Sequence, residues 1–156
     1  MTVTDIIAEY GLQEHPEGGF YREVYRSSVM VNSPVVGEPR NTVTDIYFLL
    51  ADGQVSRFHA VSHDEIWHFY GGDALVVVQL DSDGTTETRL GNRLGDKFKH
   101  VVRGNTYQAA YTTGEYSFVG CTVAPGFDFK DFRFLKDDPD ARDLAAGLEP
   151  RYGHLL

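Results

Sequence analysis

The chain has 156 residues, 42% hydrophobic and 13% aromatic, which suits one domain with a sizeable core and not a disordered chain. Its 14 basic and 23 acidic residues give a formal charge of −9, which argues against nucleic acid or an anionic membrane as a partner. No leader pattern or membrane-spanning apolar run is present, and the single cysteine, Cys121, excludes an internal disulfide, so we expect a cytoplasmic protein.

Helical signals occur only near the two ends of the chain. Thr2 and Asp5 have the spacing of a capping box, which predicts a helix over about 3–10. The pair Asp138-Pro139 is typical of a helix start and predicts a C-terminal helix over about 139–146. Between these two segments the sequence shows no helical periodicity.

The middle of the chain has the pattern of many short strands separated by Gly, Pro, Asn and Asp. Turn signals about 8–12 residues apart predict an antiparallel sandwich or barrel over about 14–134, in a single domain that covers 1–156. Residues 27–42 contain Pro34 and Pro39 and are predicted to form a long loop. The predicted strands are 20–26, 43–50, 55–61, 65–70, 74–80, 86–90, 99–103, 107–111, 116–123 and 127–134.

The densest chemistry lies in residues 53–72, which are predicted to form a hairpin. If His59 and Glu65 face the same interior, an imidazole and a carboxylate meet in a partly apolar cavity. Such a pair shifts both pKa values and supports proton transfer. By strand alternation, Arg57 shares a face with His59, and Trp67 shares a face with Glu65.

This hairpin resembles the first motif of the cupin superfamily, G-x5-H-x-H-x3/4-E-x6-G, at Gly53, His59, Glu65 and Gly72. The second cupin motif is eroded, with Tyr107 at the position of its histidine. Four further stretches resemble one cupin subfamily of uncharacterised function: EHPEGGFYRE at 14–23, SRFH at 56–59, DEIWHFYGGD at 64–73 and VGCTVAPGFDF at 119–129. The resemblance implies an all-β chain with short terminal helices, folded as an antiparallel jelly-roll β-barrel of the cupin type.

The resemblance also bears on metal binding. Metal-binding cupins use two His and one Glu from the first motif and one His from the second. Here Val61 and Tyr107 stand at two of those four positions, so we expect no cofactor. A divalent metal, if held, would need His63 beside His59 and Glu65, although His63 is predicted to be a solvated turn residue.

Metal-free cupins that epimerise sugar nucleotides use a His base and a Tyr acid. By that resemblance, His59, Glu65 and Tyr107 are the catalytic candidates for isomerisation or epimerisation of a sugar or a similar polar metabolite. Two alternatives stay open. The first is a non-enzymatic barrel that binds or senses a small molecule. The second is a metal-dependent cupin with the non-standard ligand set that includes His63.

Four other residues are ligand-binding candidates: Arg22, Tyr47, Arg57 and Trp67. Arg22 could clamp an anionic group or pair with a nearby acid. Trp67 could form an apolar wall against a ring or belong to the core. Periodicity does not decide which way Tyr47 points. The phenylalanines of 127–134 are predicted to pack in the core or at a dimer interface. The resemblance also implies a homodimer, because small cupins generally pair.

Overall fold

A computed structural model describes residues 1–156. The strands, in chain order, are β1 (Gln13–Glu14), β2 (Phe20–Arg26), β3 (Met30–Asn32), β4 (Pro39–Asn41), β5 (Thr44–Ala51), β6 (Val55–Val61), β7 (Asp64–Gly72), β8 (Leu75–Asp81), β9 (Gly84–Leu90), β10 (Lys99–Val102), β11 (Tyr107–Thr112), β12 (Tyr116–Ala124) and β13 (Phe132–Phe134). The α-helices are α1 (Val3–Tyr10) and α2 (Arg142–Ala146).

Two antiparallel sheets enclose the interior. The six-stranded sheet has the order β1-β2-β5-β12-β7-β10, and the five-stranded sheet has the order β13-β6-β11-β8-β9. The all-β, antiparallel prediction is confirmed. No helix in the structure has the length and apolar character needed to cross a membrane.

Short helical segments cover the outer faces of both sheets. Helix α1 begins after the capping box of Thr2 and Asp5 and buries Ile6 beside Leu49 and Phe118 of the six-stranded sheet. The C-terminal segment has 3-10 turns at Leu135–Asp137, Pro139–Ala141 and Pro150–Leu155 in addition to α2. Their apolar side chains, such as Tyr152, pack against the five-stranded sheet.

The stretch predicted as a long loop, 27–42, contains the two-stranded hairpin β3–β4 instead. A buried ion pair holds this hairpin to the body of the protein: the Arg40 guanidinium donates to both Asp131 oxygens, at 2.8 and 2.7 Å. The prediction failed because the anchor is 91 residues away along the chain, beyond the reach of local sequence patterns.

The predicted strand 127–134 is also only partly correct. Phe129–Asp131 is a 3-10 turn whose N-cap, Asp128, accepts a hydrogen bond from the Lys130 backbone, and only Phe132–Phe134 is a strand. A capping Asp competes with strand formation at this point.

Strand register places one set of side chains on the inner face of the six-stranded sheet. Glu65 of β7 pairs with Val123 of β12, which pairs with Thr44 of β5, which pairs with Arg26 of β2. Because directly opposed residues of antiparallel strands point to the same face, these side chains share the interior. A second row runs through Trp67, Cys121, Ile46 and Glu23 in the same way.

Candidate functional site

A cavity of about 530 Å³ opens at one end of the interior, between the two sheets. The inner faces of β2, β5, β7 and β12 form one wall, and His59 and Val61 of β6 form the other. Phenylalanines of the 127–132 segment border it. Its ionisable or charged lining side chains are His15, Glu17, Tyr21, Arg22, Glu23, Arg26, His59, Glu65, Cys121 and Asp128.

His59 and Glu17 form a buried ion pair in this cavity. Nε2 of His59 lies 2.9 Å from Oε2 of Glu17, and Nδ1 lies 2.6 Å from the carbonyl oxygen of Arg57. A carbonyl oxygen only accepts, so Nδ1 carries a proton. Burial alone would lower the pKa of His59, but the charge and hydrogen bond of Glu17, together with the charge of Glu65 and the Arg57 carbonyl, raise that pKa to about 9. The imidazole is therefore positively charged at neutral pH.

Glu17 reaches His59 through a turn built on two glycines. Gly18 has φ of 109°, and a Cβ there would lie 2.0 Å from the carbonyl oxygen of Val55, so only glycine fits this close approach to β6. The Glu17 carbonyl in turn accepts from the backbone N–H of Arg57 at 3.1 Å. Burial would raise the pKa of Glu17, yet His59 holds it below its usual value.

Glu17 is not among the site residues predicted from the sequence. The available signal was its place beside His15 in the EHPEGGFYRE stretch, directly before Gly18-Gly19. Nδ1 of His15 accepts the backbone N–H of Glu17 at 3.1 Å, and burial lowers the pKa of His15, so this ring is neutral. His15 therefore orients the turn that presents the Glu17 carboxylate.

Glu65 faces the same cavity from β7 and is held differently. Its Oε1 accepts a hydrogen bond from Nε2 of Gln108 at 2.8 Å, and Oε1 of Gln108 accepts from the Trp67 indole at 2.8 Å. Burial raises the pKa of Glu65 to about 7; His59 opposes this rise, and Glu17 adds to it. Near neutral pH, Glu65 is thus divided between its protonated and ionised forms.

Tyr107 lies outside this cavity, contrary to the prediction from the cupin motif. It packs in the apolar cluster beneath the C-terminal segment with Phe58 and Leu135, and its hydroxyl donates to Asp138. The Arg133 guanidinium lies over the ring, 5.4 Å from its centroid. The structure thus brings His59 and Glu65 together but gives Tyr107 a structural position.

We expect Tyr107→Phe to cost about 2 kcal/mol of unfolding free energy, the usual range for losing a hydrogen bond to a charged group. Urea denaturation measures this loss. The pKa values of His59 and Glu65, followed by NMR titration, should stay unchanged because the hydroxyl contacts neither residue. A shift of either pKa would contradict this assignment.

Three of the four predicted ligand-binding residues do not line the cavity. Tyr47 packs on the outer face of the six-stranded sheet against Tyr10 and Phe118, so its prediction as a ligand contact is wrong. Arg57 is exposed and donates to the carbonyl of Leu156. Trp67 belongs to the core, where its indole holds Gln108.

Arg22 borders the cavity, but its guanidinium donates to the carbonyl of Tyr10 at 3.2 Å. The predicted acid partner is thus replaced by a backbone oxygen of the N-terminal helix. Glu23 and Arg26 of the same strand also line the cavity, and neither was predicted as a site residue. A bulge between Glu23 and Tyr25 shifts the alternation, so simple period-2 counting fails along β2.

His63 is buried, not solvated, and lies in a separate cluster. Its Nε2 is 2.6 Å from Oγ of Ser33, and its Nδ1 is 3.8 Å from Asp131. The ligand set of His59, Glu65 and His63 is therefore not assembled, because the hairpin β3–β4 holds His63 away from the cavity. No three His, Cys, Asp or Glu side chains of the chain are placed to hold a metal together.

The residues at the cupin motif positions do not fit a metal ion. Both ring nitrogens of His59 already face protein oxygens, and Val61, which has no ligand atom, lines the wall at the second histidine position. The groups in the cavity that can transfer a proton are therefore its own ionisable side chains.

The aromatic residues at the border are part of the cavity and not of the core. Phe127, Phe129 and Phe132 line it, and Phe129 is 53% exposed. Phe132 stacks on His59, with ring centroids 5.1 Å apart and 18° between the planes. The prediction of core packing is therefore wrong for these three residues, and the alternative of a dimer interface stays a prediction.

Two antiparallel sheets around an interior ligand-sized cavity, with a His and a Glu at the spacing of the first cupin motif, define a cupin-type barrel. A family model confirms this class: residues 4–135 match the DUF985 family of the cupin superfamily. The chain belongs to that family.

The most informative relatives have no assigned activity in their names. An uncharacterised protein of Saccharomyces cerevisiae is 28% identical over 160 residues, covering 92% of this chain and 80% of that protein. A solved structure of a hypothetical protein from Leishmania major has a TM-score of 0.81 at 27% identity, covering 95% of this chain and 99% of that one. A crystal structure from Shewanella oneidensis has a TM-score of 0.79 at 33% identity, covering 96% and 98%.

More distant structures share only the fold. Oxalate decarboxylase from Bacillus subtilis has a TM-score of 0.59 at 14% identity, and the match covers 92% of this chain and 36% of that enzyme. Such a likeness supports the double-sheet cupin architecture.

Proposed function

We propose that the cavity binds a small polar metabolite, such as a sugar, and isomerises or epimerises it by proton transfer without a metal. The observation that carries this proposal is Glu65. It is a carboxyl group 7% exposed, in a ligand-sized cavity, with a pKa of about 7 and only one oxygen engaged by the protein, through Gln108. A group poised near the working pH is suited to both accept and donate a proton.

In this mechanism, ionised Glu65 removes a proton from the carbon next to a substrate carbonyl. The electron pair moves onto the carbonyl oxygen, and the positive charge of His59 stabilises the resulting enolate. For isomerisation, the hydroxyl on the deprotonated carbon passes its proton to the former carbonyl oxygen, and Glu65 returns its own proton to the former carbonyl carbon. For epimerisation, Glu65 returns its proton to the same carbon after the intermediate has turned. One carboxyl group performs both transfers, so the role expected of Tyr107 is not needed.

A second candidate is a barrel that binds or senses a small molecule without turnover. The engagement of both His59 nitrogens favours it, because no lone pair of that ring is available as a base. Glu65 and the phenylalanines at the cavity border, Phe127, Phe129 and Phe132, would then contact the ligand without taking part in a reaction.

The test is deuterium incorporation from heavy water into a panel of aldoses, ketoses and amino sugars, followed by mass spectrometry. We expect at least one member to incorporate deuterium, and Glu65→Gln to slow this at least about 100-fold, the low end for removing a general acid–base group. Glu9→Gln, which changes an exposed helix residue, is the matched control.

No incorporation by the wild-type protein would overturn the isomerase. If a panel member nevertheless raised the melting temperature of the wild-type protein, the binding barrel would take its place, because a ligand bound only by the folded state stabilises it without chemistry.

A further inference from the structure

Every cationic side chain that lines the cavity is already bound to a protein group. Arg26 donates to Glu23 through Nε and Nη2, at 3.2 and 2.6 Å, and to Asn41 through Nη1 at 2.9 Å. His59 is paired with Glu17. The remaining cation, Arg22, donates to the backbone of the N-terminal helix. The charges of Arg26 and His59 are thus already balanced by Glu23 and Glu17, and Arg22 opposes Tyr47 on the outer face of the sheet, so the interior offers an anionic ligand no uncompensated cation.

Among the acidic side chains of the lining, two carboxylates keep an oxygen that accepts no hydrogen bond from the protein. Oε2 of Glu65 has no hydrogen-bond donor from the protein, whereas Oε1 has Gln108. Asp128 uses Oδ1 as the cap of the 3-10 turn and has no donor at Oδ2. The nearby Arg40 uses four of its five N–H groups on Asp131, Glu38 and the Pro39 carbonyl and makes no hydrogen bond to Asp128.

Two aromatic rings flank this free carboxylate in the chain. Phe127 and Phe129 line the cavity on either side of Asp128 in the sequence, with ring centroids 4.9 Å apart and planes at 82°. Ring faces attract cations, and perpendicular rings beside an acid are a common way to receive an organic ammonium group. Inorganic cations, which prefer several oxygen ligands, suit this apolar border less.

We propose that the cavity takes a metabolite that carries an amino group as its ammonium form, and not a phosphorylated or carboxylated one. The ammonium group lies against Phe127 and Phe129 with Asp128 as its counter-charge, and the rest of the molecule extends toward Glu65. This inference rests on the proposed function only in requiring that the cavity bind a small molecule. It restricts the proposed ligand from polar metabolites in general to those that carry an amino group.

The experiment uses three probes of equal size that differ in one group: benzylamine, benzyl alcohol and benzoate. Isothermal titration calorimetry at pH 7.5 measures each dissociation constant. We expect benzylamine to bind at least about tenfold more tightly than benzoate, a difference of about 1.4 kcal/mol, with benzyl alcohol between them. Benzoate binding as tightly as benzylamine, or no binding of benzylamine at millimolar concentration, would overturn the proposal.

Asp128→Asn keeps the capping oxygen and removes the charge. We expect it to weaken benzylamine binding about fivefold, as for a partly exposed ion pair, and to leave benzyl alcohol unchanged. Asp137→Asn removes the same charge from an exposed residue that makes no side-chain hydrogen bond, so it controls for net charge. Equal effects of the two substitutions on benzylamine would show that Asp128 does not hold the ammonium group.

The proposal of an amine ligand and the proposal of an isomerase are contradicted by different results. Probe binding needs no chemistry, so the amine preference can hold in a protein that exchanges no deuterium. The converse result is that neutral sugars incorporate deuterium while the protein shows no preference for benzylamine. That result would support the isomerase and contradict the amine ligand.

Discussion

Glu17→Gln is expected to lower the pKa of His59 from about 9 to its ordinary 6.5 or below. The substitution keeps the shape of the side chain but removes the charge that does most to raise the pKa of His59. Desolvation is then opposed only by the charge of Glu65 and the hydrogen bond to the Arg57 carbonyl. NMR titration of the histidine side-chain nitrogens follows this pKa directly, and a His59 pKa unchanged at about 9 would contradict the pairing.

The same substitution should cost about 3 kcal/mol of unfolding free energy at pH 6, because about 2.5 pKa units are lost at 1.36 kcal/mol each. The folded-state pKa of His59 lies above its unfolded value of 6.5, so the pair stabilises fully below pH 6.5 and its contribution is lost as pH rises toward 9. Urea denaturation at several pH values measures this. Glu23→Gln, which breaks the more exposed pair with Arg26, should cost under about 1 kcal/mol.

Glu65→Gln is expected to stabilise the protein at pH 8 by about 3 kcal/mol and to change little at pH 4. The folded-state pKa of Glu65 is raised from 4.5 to about 7, so ionising it in the folded protein costs more than in the unfolded chain. Wild-type stability therefore falls as pH rises from 4.5 to 7, and glutamine, which never ionises, removes this part of the pH dependence.

Urea denaturation of the wild-type and Glu65→Gln proteins at pH 4 and pH 8 tests this. Glu9→Gln, at an exposed helix position, should leave both values unchanged. A Glu65→Gln protein less stable than the wild type at pH 8 would contradict it. A stabilising substitution that removes deuterium exchange would identify Glu65 as a residue retained for chemistry at the expense of stability.

The sequence predicted the strand framework well because turn residues and strand alternation are local signals. Strand β2 lies where it was predicted, over Phe20–Arg26, and Val55–Val61 likewise. The meeting of His59 and Glu65 in one interior was predicted from alternation within one hairpin. These features depend only on residues that lie close to one another in the sequence.

The parts of the site that were missed depend on contacts between distant parts of the chain. Glu17 pairs with His59 across 42 positions, through a glycine turn whose path no periodicity describes. Arg40 and Asp131 fix a hairpin that looked like a loop. Tyr107 stands at the position of the histidine of the second cupin motif, yet its hydroxyl donates to Asp138 and accepts from Arg133 outside the cavity.

The central position of β12 has a consequence for biosynthesis. Strands β5 and β7 pair with β12 on either side, although β12 is made more than 40 residues after β7 begins. Until Tyr116–Ala124 has left the ribosome, β5 and β7 each present an open edge with unpaired backbone groups. Such edges are templates for aggregation, so the nascent chain is most vulnerable during that interval, and protection by a chaperone would matter most there.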